Sequence, residues 1–438
     1  MGQTEITGTT AADIFDSIRR EAHAGRLAPG QSLPPVRELA ERLGVNRNTV
    51  AAAYRRLVAA HIAQTLGRNG TVIRSSATAI EQEGLAPGSP LVDLAGGNPD
   101  PAWLPDPLQA LAAQGYQPTL YGEPVFDAEL ERLARQWLEP DCRPGYRLTL
   151  THGAVDAIER LLAAYLVPGD KVAVEDPCFL GSLNILRCTG LQAAPVAMDA
   201  RGMLPDALEA ALAAGAHAVL CTPRAQNPTG CSLTEKRARE LRRVLVRYPD
   251  VLVIEDDHFA LLAQSPYWSI VPPTTARWAL VRSVSKGFGP DLRAAFLASD
   301  DGTAQRLAMR LAPGTSWVSH LLQAALRGLL GSKRAMARIG TAGKTYAQRR
   351  DALIAALRAE GLTALQPCDG FNVWVPLPAN ADAARVAQAL ARLGWNVRTG
   401  DAFAIASAVP ALRITASALE AARAADFARQ LSACLQSA

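Results

Sequence analysis

Three features of the 438-residue sequence predict an α/β protein in two parts. Residues 11–76 read as short helices followed by a strand, a turn and a strand. From about residue 91, short apolar runs alternate with helical stretches, the pattern of a mostly parallel sheet covered on both faces. Between them, "SSATAIEQEGLAPGSP" is rich in Ser, Ala, Gly and Pro and reads as a linker, short enough to limit how far the two parts separate. The expected boundaries are 1–75 for the N-terminal domain, 76–90 for the linker, 91–330 for a large domain and 331–438 for a smaller one.

In the first part, "AADIFDSIRREAHA" (11–24) places Ile14, Phe15 and Ile18 at helical spacing. "PVRELAERLG" (35–44) is a short amphipathic helix stopped by Gly44. A second helix follows over 45–62, with Asn46 as its N-cap. This is helix-turn-helix spacing, and the strand pair over 63–76, with "GRNG" at its tip, would be a wing. Asn46, Arg47, Asn48 and Thr49 lie in the first turn of the second helix, where side chains reach base edges in a major groove. Arg37 and Arg55 are placed to hold phosphates, and Arg68 at the wing tip to touch backbone or minor groove.

Charge supports a polyanionic partner for this end. Residues 1–75 carry ten Arg and no Lys against six acidic residues, which accounts for the whole formal net charge of +4. The seven cysteines are scattered and odd in number, with no C-x-x-C, which argues against a disulfide framework or a structural zinc site and fits a reducing compartment. The N-terminus lacks the apolar stretch of a secretory signal, and no uncharged apolar run is long enough to span a bilayer. A cytoplasmic protein is expected, with double-stranded DNA as a partner and no bound metal.

In the second part, "KVAVED" (171–176), "HAVLCTP" (217–223), "VLVIEDD" (251–257) and "WALVRSVSK" (278–286) are strands that end in polar residues. Ligands in such folds bind at the carboxyl ends of strands, so these ends define one candidate site. Lys286 follows Ser283 and Ser285, a setting in which an amine can bond an aldehyde beside a phosphate. Arg293 adds a fork-shaped cation for the same phosphate. In "LTHGAVDAIERLL" (150–162), Gly153 and Ala154 open a helix whose backbone N–H groups suit a phosphate, although a plain strand-to-helix turn has the same look. "TPRAQNPTG" presents Asn227 as a donor to a phenolic oxygen. "VIEDDH" carries carboxylates off a buried strand, one of which can hold a pyridine nitrogen protonated. Phe179 in "VEDPCF" is a ring for a flat heterocycle, or equally a core phenylalanine.

"LPPVRELAERLGVNRNTVAAAYRRL" with "GRNGTVI" resembles the winged helix of GntR-family bacterial regulators. The order and spacing of the later stretches resemble fold-type I enzymes that use pyridoxal 5'-phosphate, the aspartate aminotransferase-like superfamily, with its large and small domains. A winged helix joined to such a body is the layout of the MocR subfamily, and "GGNPDP", "DDHFALL" and the SVSK–GPDLR stretch fit it. The resemblance implies that Lys286 forms the Schiff base with pyridoxal 5'-phosphate and that Asp256 partners the pyridine nitrogen. Asn227 would bond the ring hydroxyl, and Phe179 would stack. Gly153, Ala154, Ser283, Ser285 and Arg293 would hold the phosphate. Arg413 in "LRITAS" would pair with a ligand carboxylate. Tyr121 in "LYGEP" would reach the phosphate of a neighbouring subunit, implying a homodimer. His258 stands beside the ring hydroxyl where relatives usually carry tyrosine. His152 replaces a frequent serine, Ala225 a histidine, and "YGEPVF" lacks a glycine common in relatives. These departures bear on turnover more than on binding. The expectation is a transcriptional regulator with pyridoxal 5'-phosphate as effector, controlling vitamin B6 metabolism through a pyridoxal kinase gene. The alternative is an aminotransferase with an appended DNA-binding domain.

Overall fold

The structure is a computed structural model that describes residues 6–60, 62–65, 70–73, 88–406 and 410–436. The chain divides into two compact units, 1–81 and 82–438.

The first unit holds helices α1 (Ala11–His23), α2 (Val36–Leu43) and α3 (Arg47–Ala59) and an antiparallel pair, β1 (Ala63–Thr65) and β2 (Thr71–Ile73). Thr10 and Asp13 form a reciprocal capping box that starts α1. Gly44, at φ +66°, ends α2 in the left-handed region, a conformation that costs glycine nothing. Asn46 then caps α3 by accepting from Asn48 N–H at 2.8 Å. The apolar stripe is buried as the helical spacing requires, with Ile14, Ile18, Leu39, Val50 and Leu57 forming the centre of the core. The expected strand pair is present, while Arg68 at its tip and most of the expected linker lie outside the described residues.

The second unit is built on an eight-stranded sheet. Its strands are β4 (Arg147–Thr151), β5 (Lys171–Asp176), β6 (Gln192–Asp199), β7 (Gly202–Met203), β8 (Ala216–Cys221), β9 (Leu252–Asp256), β10 (Trp278–Ser283) and β11 (Ala295–Ser299), in the order β4-β11-β10-β9-β8-β5-β6-β7. The central pairs β10–β9, β9–β8, β8–β5 and β5–β6 are parallel, whereas β11 runs antiparallel to both β10 and β4. Both faces are covered. Val219, Cys221 and Val253 join one hydrophobic cluster, and Ala218, Leu220, Leu252 and Ile254 join the other, so alternate residues of one strand serve opposite layers.

A smaller antiparallel sheet joins β12 (Asn372–Pro376), β14 (Arg398–Thr399) and β15 (Ala411–Thr415), with β15 central. Residues 92–93, assigned by sequence to the large domain, form a short strand (β3) paired in parallel with β13 (Trp395–Asn396), and Leu94 joins the hydrophobic cluster of the smaller sheet. Among the described residues, no helix is long and apolar enough to cross a membrane, and no group of three His, Cys, Asp or Glu is disposed to hold a metal ion.

Candidate functional site: a lysine beside three buried acids, and an exposed helix start

The carboxyl ends of β9 and β10 carry the chemistry. β9 ends in three acids, Glu255, Asp256 and Asp257, and the structure gives each a different role. Glu255 accepts from Tyr267 hydroxyl at 2.5 Å, Ser269 hydroxyl at 2.9 Å and Ile270 N–H at 2.7 Å. Asp257 accepts from Arg224 at 2.6 and 3.0 Å and from Arg282 at 2.9 Å. Burial raises the Asp257 carboxyl, but the two guanidinium groups outweigh it and hold the acid below its ordinary value. Asp256 is buried too, at 6% exposure, yet its Oδ1 has no hydrogen-bond partner. Burial, then the charges of Asp257 and Glu175, push its pKa up to about 7, against a lowering by Lys286. Among these three acids, Asp256 is therefore the one left to meet a ligand. An orphaned buried carboxylate oxygen is costly, and a cationic N–H from a flat heterocycle would satisfy it.

Lys286 begins one turn beyond β10, in the short helix Ser285–Phe288. Its Nζ donates to the Gly97 carbonyl at 2.6 Å and lies 5.7 Å from the centre of the Phe371 ring. The two serines before it are already organised: Ser285 N–H donates to Ser283 Oγ at 3.1 Å, and the hydroxyls are 3.0 Å apart. Arg293 adopts a left-handed backbone at φ +42°, rare for a side-chain-bearing residue. Its guanidinium lies against Gly153, which sits at φ +101° before the helix Ala154–Tyr165. A Cβ on Gly153 would stand 3.3 Å from Arg293 Nη2, so a side chain there would crowd the cradle. The structure thus sets one guanidinium at a helix N-terminus, and Ala295 pairs with both Thr151 and Ser283, so Ser283 ends a strand of the same part of the sheet.

Arg413, central on β15 and fully buried, donates to Asn227 Oδ1 at 2.9 Å and to the Ala95 carbonyl, and its guanidinium lies 5.0 Å from the Phe403 ring centre. This contact places Asn227 and Arg413 side by side, a pairing that spacing in the sequence does not disclose. Phe179 caps the helix Leu180–Thr189 and lies over Gly181, where a Cβ would come within 2.4 Å of the ring. His258 follows the acids and meets Phe259 edge-on at 6.1 Å. Tyr121 stands apart from this cluster: it is 92% exposed, edge-on to Trp317.

Sequence reasoning missed Arg224 and Arg282. Arg282, 1% exposed, also bonds Asp141 and the Trp137 carbonyl and so ties Asp257 to that segment. A charged residue inside the apolar run "WALVRS" was the available signal, since a buried arginine must have acidic partners.

In the N-terminal unit, Asn46, Arg47, Asn48 and Arg55 are exposed and Thr49 is half-buried, so the start of α3 presents its polar side chains outward. Tyr54, on the buried side of α3, donates to the Pro34 carbonyl at 2.7 Å and pins the helix to the turn before α2. Arg37 is exposed and ion-paired with Glu41 at 3.3 Å.

Residues 89–431 match the family model "Aminotransferase class I and II", and residues 10–73 match "Bacterial regulatory proteins, gntR family". The chain is 51% identical over 414 residues to the vitamin B6 salvage pathway transcriptional repressor PtsJ of Salmonella typhimurium, covering 94% of this chain and 96% of that protein. It is 25% identical over 389 residues to the probable rhizopine catabolism regulatory protein MocR of Rhizobium meliloti, covering 79% and 76%. In fold it is similar to the crystal structure of kynurenine aminotransferase from Pyrococcus horikoshii (TM-score 0.71, 22% identity, 80% of this chain and 92% of that one). The chain belongs to the MocR group of gntR-family regulators, a winged helix joined to a class I and II aminotransferase body.

Proposed function

We propose that this regulator binds pyridoxal 5'-phosphate in the Lys286 site and, in response, changes its grip on operator DNA upstream of vitamin B6 salvage genes such as one for a pyridoxal kinase. The observation that carries the reading is the orphaned Oδ1 of Asp256 at one end of a cluster whose other end is the Gly153–Arg293 cradle. A heterocycle with a basic ring nitrogen and a phosphate matches that donor and acceptor set. Pyridoxal 5'-phosphate supplies an aldehyde for reversible covalent capture and a ring that draws electrons from bonds next to the captured nitrogen.

The chain's own residues do the rest. Lys286 Nζ is the capturing amine. Asp256 keeps a proton at the ring nitrogen, while Arg224 and Arg282 hold Asp257 fixed behind it. Gly153, Ala154, Ser283, Ser285 and Arg293 hold the phosphate. Asn227 donates to the ring hydroxyl, flanked by Arg413 and His258, and Phe179 covers the ring face. Arg413 receives the carboxylate of an amino compound if one joins the effector. Exposed Tyr121 lies in a segment with exposed Tyr116, Leu120 and Val125, which favours burial of that segment in a homodimer, with Tyr121 reaching the partner's phosphate. In the reading helix, Asn46, Arg47, Asn48 and Thr49 contact bases, and Arg37, Arg55 and Arg68 contact the backbone.

An effector regulates only if it binds two states unequally. The test is a gel shift on the promoter of a vitamin B6 salvage gene with and without pyridoxal 5'-phosphate. A changed affinity supports the reading, and equal affinity in both states overturns it. Rapid, complete transamination between an amino donor and an oxo-acid acceptor would instead make the body a working enzyme.

A further inference from the structure

The GGNPDP motif (96–101) begins where the chain passes the Lys286 site. Residues 94–97 are buried, and they come soon after residue 82, where the chain enters the second unit. Two cations of the site donate to carbonyls of this segment. Lys286 Nζ bonds the Gly97 carbonyl at 2.6 Å, and Arg413 bonds the Ala95 carbonyl. Further ties run to β15, to the residues just after it and to the helix Lys333–Ala359. Gly97 N–H donates to Thr415 Oγ1 at 3.1 Å, the Ser417 hydroxyl to the Asn98 carbonyl at 2.7 Å, and Arg349 to Asp100 at 2.8 Å. The Lys286 bond therefore links this segment to the end of β10, while its other ties hold it to the smaller sheet.

Capture of an aldehyde changes what Lys286 can donate. Its ammonium carries three N–H groups. As Nζ bonds the aldehyde carbon, the carbonyl oxygen leaves as water with two of those protons, and one N–H remains on a cationic C=N group. In pyridoxal 5'-phosphate the ring hydroxyl stands next to the aldehyde and accepts that last N–H. The Gly97 carbonyl is then buried without its donor, which is costly, and the segment recovers a partner only by moving.

We propose that the Lys286–Gly97 hydrogen bond is a latch, closed in the ligand-free protein and opened by covalent capture of the aldehyde. Its release shifts residues 94–98, on the covalent route from the site to the DNA-reading unit. This rests on the reading of pyridoxal 5'-phosphate as the ligand of the Lys286 site.

Hydrogen–deuterium exchange of the full-length protein tests it at the amides of residues 94–100. The protein is measured alone, with pyridoxal 5'-phosphate, and with pyridoxine 5'-phosphate, which carries an alcohol in place of the aldehyde. Loss of a hydrogen bond from a charged donor predicts exchange roughly ten-fold or more faster with the aldehyde. The alcohol, at a concentration that competes with the aldehyde for the site, should leave exchange within about two-fold of the ligand-free rate. Operator affinity in a gel shift should follow the same pattern, changed by the aldehyde and not by the alcohol. Lys286→Ala should show the faster exchange without any ligand. Unchanged or slower exchange once imine absorbance shows the wild-type site filled, or an equal response to the alcohol in either measurement, overturns this inference alone. Absence of imine absorbance in the wild type overturns the underlying ligand reading and this inference with it.

Discussion

Replacing Asp256 with Asn should make the ligand-free protein more stable at pH 8 and at the same time impair its ligand site. The Asp256 pKa stands at about 7 against an ordinary value of 3.8, chiefly because the carboxyl is buried. Between those two pH values the folded state holds a proton that the unfolded chain has released. Stability contributed by this group is therefore full below pH 4 and is lost as pH rises through 7. A shift of about three units corresponds to roughly 4 kcal/mol, all of it forfeited at pH 8. Asparagine keeps the shape without the charge, and its unpartnered buried amide costs about 1–3 kcal/mol. A net gain of about 1–3 kcal/mol at pH 8 remains, turning into a loss of about 1–3 kcal/mol near pH 4, where the wild-type acid is protonated in both states. Urea unfolding of wild type and Asp256→Asn at pH 8 and near pH 4 measures it. The same variant should bind pyridoxal 5'-phosphate roughly ten-fold or more weakly, because a charge-assisted bond to the ring nitrogen is gone. A variant less stable than wild type at pH 8, or one that binds the ligand as well as wild type, would refute the assignment of Asp256 as the acid that waits for a cation.

Three further outcomes follow from the geometry. Asp257→Ala leaves Arg224 buried without its carboxylate and Arg282 with Asp141 alone, and should destabilise the body by about 3–5 kcal/mol in thermal or urea unfolding, the opposite sign to Asp256→Asn at pH 8. Gly153→Ala places a Cβ 3.3 Å from the Arg293 guanidinium on a backbone at φ +101°, so it should cost about 1–3 kcal/mol in unfolding and weaken uptake of the phosphorylated aldehyde in an absorbance titration. Arg47→Ala should weaken specific operator binding by about 1–3 kcal/mol in a gel shift and leave the absorbance of the ligand adduct unchanged.

Much of this site could be read from the residues, and the limits have physical causes. The strands announced themselves because both their faces are buried, so their apolar runs are continuous and their polar ends conspicuous. Lys286 and the two serines stood out in the sequence because an amine and two hydroxyls are nearly contiguous there. The distinction among Glu255, Asp256 and Asp257 was assigned by resemblance and acquires its reason only in three dimensions. Alternation sends neighbouring side chains to opposite faces, and their partners, Tyr267 for one and Arg224 and Arg282 for another, come from elsewhere in the chain. The approach of Arg413 to Asn227 joins residues 186 positions apart. Likewise, the strand at Val92–Asp93 belongs with β13 for want of any local cue, since a two-residue strand has no periodicity to read.

The most direct test of the central claim compares wild type with Lys286→Ala in operator binding, each with and without pyridoxal 5'-phosphate. The ligand should shift the DNA affinity of wild type and be trapped on Lys286 by borohydride, whereas the variant should bind DNA with one affinity in both conditions. A variant that responds to the ligand as wild type does would contradict that claim.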